Sequence, residues 1–260
     1  MLNAMMAVAC KEIVDGLRDV RSLVSALLYA LMGPVVVGLV SRAIPAGAKN
    51  GGSVLIGMVS IFTLVAAFVG GMNVAMDLVA GERERRSLLP LLLNPVSRAT
   101  VALGKWLGVA FFALCGLSVN LAGSALVWWN IGAQTPALTP GALLAVPLAL
   151  APLALLAAAV QLLTSTVCRS TKEAQTYLSL IVFLPMGAGM FLVFSPPIAR
   201  SWIRLLPLAG SQLLLESFLG GGQAPLLGAI ELACATLGLT IPVLWMVANR
   251  LQRDEIIYGN

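Results

Sequence analysis

The sequence predicts an all-α membrane protein that crosses the bilayer six times. The first observation is apolarity: 59% of the 260 residues are hydrophobic and the mean hydropathy is +0.96, more apolar surface than one water-soluble core can hide. The second is charge: only 10% of the residues are charged, where soluble domains carry about a quarter. The third is patterning, since those charges fall in a few clusters separated by long neutral runs.

A span needs about 20 mainly apolar residues to cross roughly 30 Å of hydrocarbon. Such runs lie at 22–41, 54–79, 106–129, 141–163, 174–194 and 226–248. The fourth contains Pro147 and Pro152 and the sixth Pro242, which membrane helices tolerate where neighbours re-satisfy the freed backbone groups, so kinks are expected there. Six spans put both termini on one side. Arg42, Lys49, Arg200 and Arg204 fall on the other side, and the remaining twelve of the sixteen Lys and Arg residues fall with the termini. Positive flanks stay in the cytoplasm, so both termini are expected there. The net charge of +5 is accounted for by this topology and by anionic headgroups, without nucleic acid as a partner. Ala46-Gly47-Ala48 has the small residues of a signal-peptidase site, but the preceding apolar core is too long for a signal peptide and reads as an uncleaved first span.

Residues 1–21 interleave Lys11, Glu12, Asp15, Arg18, Asp19 and Arg21 with Ile13, Val14, Leu17 and Val20 at helical period. This predicts an amphipathic helix lying along the cytoplasmic surface with its charges solvated. The most polar segment, Ala80 to Ser87, precedes Leu88-Leu89-Pro90-Leu91-Leu92-Leu93 and a break at Asn94-Pro95. It reads as a short cytoplasmic helix, with Ser87 able to cap it and Pro90 placed in its first turn. Ser97 can cap the helix that carries Arg98 and Lys105 into the third span. A leucine-rich helix too short to span must find cover in headgroups or on another protein. Residues 195–225 hold two apolar pieces too short to cross, which suits outer re-entrant or interfacial helices, with Trp202 between Arg200 and Arg204 at headgroup level.

Several chemistries are excluded. There is no histidine, no G-x-x-x-x-G-K-[ST], no G-x-S-x-G and no H-E-x-x-H, and Cys10, Cys115, Cys168 and Cys234 lack metal or redox spacing. No catalytic residue and no metal site is predicted. Ionisable groups inside a membrane are functional candidates because a buried charge costs several kcal/mol. Asp77 and Glu231 qualify, although Asp77 lies only a turn from the cytoplasmic charge cluster and can snorkel or pair with Arg83 or Arg85, and Glu231 lies near the outer surface. Asn73, Asn120, Gln161, Thr236 and Thr240 can line a polar path or fasten helices to one another.

The run from Asp77 through Ala80-Gly81-Glu82-Arg83-Glu84-Arg85-Arg86-Ser87-Leu88, with Pro95-Val96-Ser97-Arg98 and Gly104-Lys105, resembles the permease subunits of type-2 ABC exporters, most of all the sodium-efflux (NatB-type) branch. Lys11-Glu12-Ile13 with Asp15-Leu17-Arg18-Asp19, Lys172 to Tyr177, and Pro207-Leu208 with Gly210 to Leu214 agree in order. The resemblance implies one permease domain over 1–260, paired with a second copy or a homologous permease, and a separate cytoplasmic ATPase that binds ATP and Mg. This chain itself would bind no cofactor, catalyse nothing, and reside in the inner (plasma) membrane of a bacterium. It further implies a coupling-helix loop over 81–98, with Glu82, Arg83, Glu84, Arg85, Arg86, Leu88, Leu89 and Leu92 docking on the ATPase. The N-terminal helix is then a connector, and Trp202, Gln212 and Glu216 belong to an outer gate. One departure is visible: sodium-efflux permeases carry a large outer domain between the first two spans, where this chain has only Arg42 to Ser53. The substrate is thus open among sodium or another cation, a peptide, a lipid and a small amphiphile. The rival reading is an ion-coupled secondary transporter or channel, which would need no ATPase and would bind its ion near the midplane on broken helices.

Overall fold

The computed structural model describes residues 2–45, 51–85, 97–131, 140–194, 201–220 and 226–251. They are helical throughout and contain no strand. In chain order the elements are α1 (Leu2–Arg18), α2 (Val20–Ala43), α3 (Gly51–Met76), a π-turn (Asp77–Gly81), α4 (Glu82–Glu84), α5 (Arg98–Ile131), α6 (Pro140–Val167), α7 (Thr171–Phe194), a 3-10 turn (Ser201–Leu205), α8 (Pro207–Leu219) and α9 (Leu226–Arg250). Among the described residues six helices are long and apolar enough to cross a membrane, one in each predicted apolar run.

Local chemistry explains the breaks. Asp19 ends α1 and caps α2, its carboxylate accepting from the Arg21 N–H at 3.2 Å and from the Ser22 hydroxyl. Those bonds hold its carboxyl below the usual range, the Ser22 hydroxyl contributing most. Ser97 opens α5 as expected, its hydroxyl accepting from the Thr100 N–H at 3.2 Å. With 34 residues, α5 is about 51 Å long, well beyond the hydrocarbon thickness, so its ends project past the apolar run 106–129. Before the last span lie the 3-10 turn and α8, each too short to cross; Leu215 and Leu219 of α8 pack with Leu55 and Val59 of α3 in the core.

The most enclosed helix is α3, and small residues let α5 approach it. A Cβ on Gly70 would lie 2.6 Å from the Phe112 carbonyl oxygen and 3.1 Å from Gly116 Cα. Backbones this close maximise dispersion contact, which drives helix association in lipid, where apolar burial between helices gains little. By contrast α2, α7 and α9 show most of their apolar surface, including Leu28, Phe183 and Ile241.

The first helix departs from expectation. Lys11, Asp15, Arg18 and Arg21 are exposed as expected, but Glu12 is buried, because α1 runs alongside α5: Val8 sits over Gly104, Glu12 over Gly108, and Gly16 against the Phe112 ring, each step four residues on both helices. A Cβ on Gly104 would meet Val8 Cβ at 2.7 Å and the Met5 carbonyl oxygen at 2.9 Å, so the two glycines open the groove that α1 fills.

Candidate functional site

At one end of the bundle the termini of α3, α5, α6, α7 and α9 bring Arg83, Arg85, Arg98, Arg169, Lys172 and Arg250 together. At the centre of this basic end is Lys105, whose side chain is fully buried one residue before the predicted start of the third span. Its ammonium has three N–H donors and three acceptors: Glu82 Oε1 at 2.8 Å, the Leu78 carbonyl at 2.9 Å and Glu12 Oε1 at 3.0 Å. Glu12 is itself only 5% exposed, so this is a buried ion cluster and not a solvated face. Lys11 Nζ adds an outer layer, 3.4 Å from Glu12, 3.7 Å from Asp15 and 3.8 Å from Glu82. Burial works against its charge, but Glu12, Glu82 and Asp15 outweigh it and raise the Lys11 pKa.

The π-turn lies directly above Glu82. Its extra residue shifts the backbone bonding of α3, and two neighbours meet the altered groups: Leu78 O accepts from Lys105, and Ala80 N–H donates to Ser165 Oγ of α6 at 3.1 Å. Beyond it, each described charged residue of the polar segment has a place. Arg83 donates to the Cys168 carbonyl at 3.5 Å. Glu84 Oε2 accepts from both the N–H and the hydroxyl of Thr171, at 2.9 and 2.8 Å, and so caps α7 at its positive N-terminal end. Arg85 lies 3.5 Å from Asp77 Oδ1, the pairing anticipated from their spacing. Arg86, Leu88, Leu89 and Leu92 lie outside the described residues.

Of the predicted polar residues of the spans, Asn73, Asn120 and Gln161 bond between helices, whereas Thr236 and Thr240 bond within α9, their hydroxyls donating to the Leu232 and Thr236 carbonyls at 2.7 and 2.9 Å. Asn73 donates to Ser25 Oγ at 2.8 Å and to the Ser22 carbonyl at 3.3 Å. Asn120 donates to the Ala30 carbonyl at 2.9 Å and accepts from Thr63 Oγ1 at 3.1 Å, joining α2, α3 and α5. Gln161 Nε2 donates to the Phe68 carbonyl. Glu231 is exposed on α9. At the opposite end Gln212 is buried and donates to the Gly189 carbonyl at 3.1 Å and to Glu216 at 2.8 Å, while Trp202 is exposed on the 3-10 turn. Among the described residues no three His, Cys, Asp or Glu side chains are grouped to hold a metal ion.

Sequence reasoning missed Glu12, Lys105, Ser165 and Thr171 as members of one site. The available signal was Gly104-Lys105-Trp106-Leu107-Gly108, a pair of small residues four apart flanking a lysine, which marks a close helix approach beside a charge. Trp106 strengthens the same corner by donating to the Leu155 carbonyl of α6 at 2.9 Å.

A sequence family described as ABC-2 family transporter protein matches residues 6–256. Among curated proteins, the chain is 31% identical over 198 residues to the ABC transporter permease protein NatB of Bacillus subtilis (strain 168), covering 72% of this chain and 50% of that protein. It is also 31% identical over 122 residues to the "Probable ABC transporter permease protein NosY" of Pseudomonas aeruginosa, covering 46% of this chain and 43% of that one. The chain thus spans about half the length of the curated relatives it matches. With six apolar helices among the described residues and a family match over nearly its whole length, the chain belongs to the ABC-2 transporter family and is a multi-pass membrane protein.

Proposed function

We propose that this chain is the membrane-spanning subunit of an ATP-driven exporter. It pairs with a second permease, its own copy or a homologue, to enclose the path. A separate cytoplasmic ATPase, which binds ATP and Mg, docks on the segment from Glu82 to Leu93. In this reading the basic end faces the cytoplasm of a bacterial cell, its inner membrane holds the spans, and α1 is the connector. The chain contributes no catalytic residue of its own.

The observation that carries this reading is the convergence of α1, α3, α5, α6 and α7 on Glu82–Arg85. A docked ATPase that favours one arrangement of this segment can bias four spans at once. That differential affinity is what a nucleotide needs in order to shift a permease between inward-open and outward-open states. Trp202, Gln212 and Glu216 are assigned to the outer gate on the same reading, and sodium remains one substrate to test beside other cations, peptides and amphiphiles.

The test is isolation of the tagged chain from its native membranes in mild detergent. A stoichiometric partner with a P-loop supports the assignment. Recovery without any ATPase across several mild detergents overturns it in favour of an ion-coupled transporter.

A further inference from the structure

We propose that Lys105 is the positioning residue for Glu82–Arg85, the described start of the coupling segment: by holding Glu82, the π-turn carbonyl of Leu78 and Glu12 at one point, it makes α1, the π-turn and Glu82–Arg85 a single body mounted on α5. The proposal deepens the ATPase-docking reading and rests on it for the force that the segment would carry.

The geometry argues for positioning in three ways. First, the three donors of one ammonium are spent, at 2.8 to 3.0 Å, on two chain segments remote in sequence: Glu12 of α1, and Leu78 with Glu82, one turn apart at the end of the continuous helix that begins as α3. A lysine that only marked the cytoplasmic flank would reach for water or headgroups, whereas this one has no exposed surface. Second, the π-turn is the natural place for α3 to flex, because its backbone bonding is irregular and Glu82 follows it directly. Lys105 clamps that turn from α5 while Ser165 holds it from α6. A load on Glu82–Arg85 therefore passes into α5 before it can bend the turn. Third, α1 packs mainly on α5, and its link to Glu82 runs through Lys105 and, at 3.8 Å, through Lys11. Without the lysine, α1 would still lie on Gly104 and Gly108 but would lose its principal registration to the segment.

A purely structural role has a different signature. If Lys105 only neutralises Glu12 and Glu82, removing all three charges together should restore everything, since a buried ion cluster is often replaceable by neutral groups of similar size. If it positions, the neutral cluster should fold but leave α1 and the segment unregistered. The experiment is pulsed electron paramagnetic resonance on the full chain with its ATPase. Native cysteines are replaced and spin labels placed at Val14 on α1, Arg85 on the segment and Tyr177 on α7, all exposed positions. Distances are read without nucleotide and after trapping with ATP and vanadate.

The wild-type background is expected to give one narrow Val14–Arg85 distance in both conditions, while Arg85–Tyr177 changes on trapping. The triple variant Lys105→Met, Glu12→Gln, Glu82→Gln is expected to broaden the Val14–Arg85 distribution about twofold, as local registration is lost without global unfolding. A triple variant as narrow as wild type overturns the proposal. The milder Glu12→Gln, which keeps Lys105 paired with Glu82, provides an independent reading if the triple variant fails to fold: it should loosen Val14–Arg85 and leave Arg85–Tyr177 unchanged, and an unaltered Val14–Arg85 distance counts against positioning. If trapping moves no wild-type distance, the docking reading fails, and the nucleotide-free Val14–Arg85 width still decides the role of Lys105.

Discussion

Two residues of α5, Asn120 and Lys105, each tie together three parts of the chain, yet they do so with opposite chemistry. Asn120 lies mid-bundle and joins α2 and α3 to α5 through neutral hydrogen bonds. Lys105 lies fifteen residues earlier, about 22 Å along the helix, and joins α1, the π-turn and Glu82 through charges. Neutral amide bonds suit hydrocarbon, where an ionised group would have to be desolvated outright. A charged cluster belongs at the end of the bundle, outside the hydrocarbon, where its buried core around Lys105 is costly to break and only its exposed outer layer, Lys11 and Asp15, can be rearranged at modest cost. The mid-bundle fastening therefore fixes the helices to one another, whereas the basic end adds to its buried core an outer layer of contacts that a docking protein can compete with or reinforce.

Lys105→Met breaks this contrast most severely, because it leaves two carboxylates buried without their cation. Removing one partner of a buried charge cluster costs about 3–5 kcal/mol, so the variant should unfold well below wild type in detergent. Adding Glu12→Gln and Glu82→Gln should recover most of that loss. A stability unaffected by Lys105→Met would mean the cluster is hydrated and not a fastening at all.

Gly70→Ala comes next. Its new Cβ would press on the Phe112 carbonyl at 2.6 Å, and a backbone atom cannot swing aside as a side-chain tip can. Overpacking of this kind costs about 1–3 kcal/mol, read as a lower thermal midpoint. Gly38→Ala is the control, since there the nearest atom is Val127 Cγ1 at 3.4 Å, an ordinary contact; equal losses at both sites would show that the α3–α5 crossing is looser than it looks.

Asn120→Ala should cost about 1 kcal/mol, the usual scale for a hydrogen bond between membrane helices. The smallest effect belongs to Asp19. Its folded pKa is lowered by Ser22 and the Arg21 N–H, so the stability it contributes is present above the ordinary carboxylate range and fades as pH falls through the folded value. Asp19→Asn should flatten that acid limb of a melting-against-pH curve while changing little at neutral pH; an acid limb as steep as wild type would remove Asp19 from the account.

How legible each part was follows from its physics. The spans were plain because hydrocarbon imposes length and apolarity on every residue in them, and Ser97 was plain because capping is local. The first helix was half legible: Glu12 and Asp15 look alike in sequence, and only the groove at Gly104 and Gly108 sends the former into the bundle and leaves the latter at its edge. Lys105 counted toward topology because its charge was visible and its three partners, up to 93 residues away, were not. Asn73, Asn120 and Gln161 left two readings open, since a polar side chain in a span looks the same whether it faces a path or a neighbouring helix. The coupling role proposed for Glu82–Leu93 rests on resemblance, because docking complementarity is a property of two proteins and one sequence carries half of it.

The most direct measurement of the central claim is site-specific photo-crosslinking in intact cells, with a photoreactive residue at exposed Arg85 on the basic end or at exposed Trp129 near the opposite end of α5. The account predicts a crosslink from Arg85 to a P-loop ATPase, altered when ATP is depleted, and none from Trp129. An ATPase captured from Trp129, or no ATPase from Arg85 while the protein is folded and inserted, would contradict it.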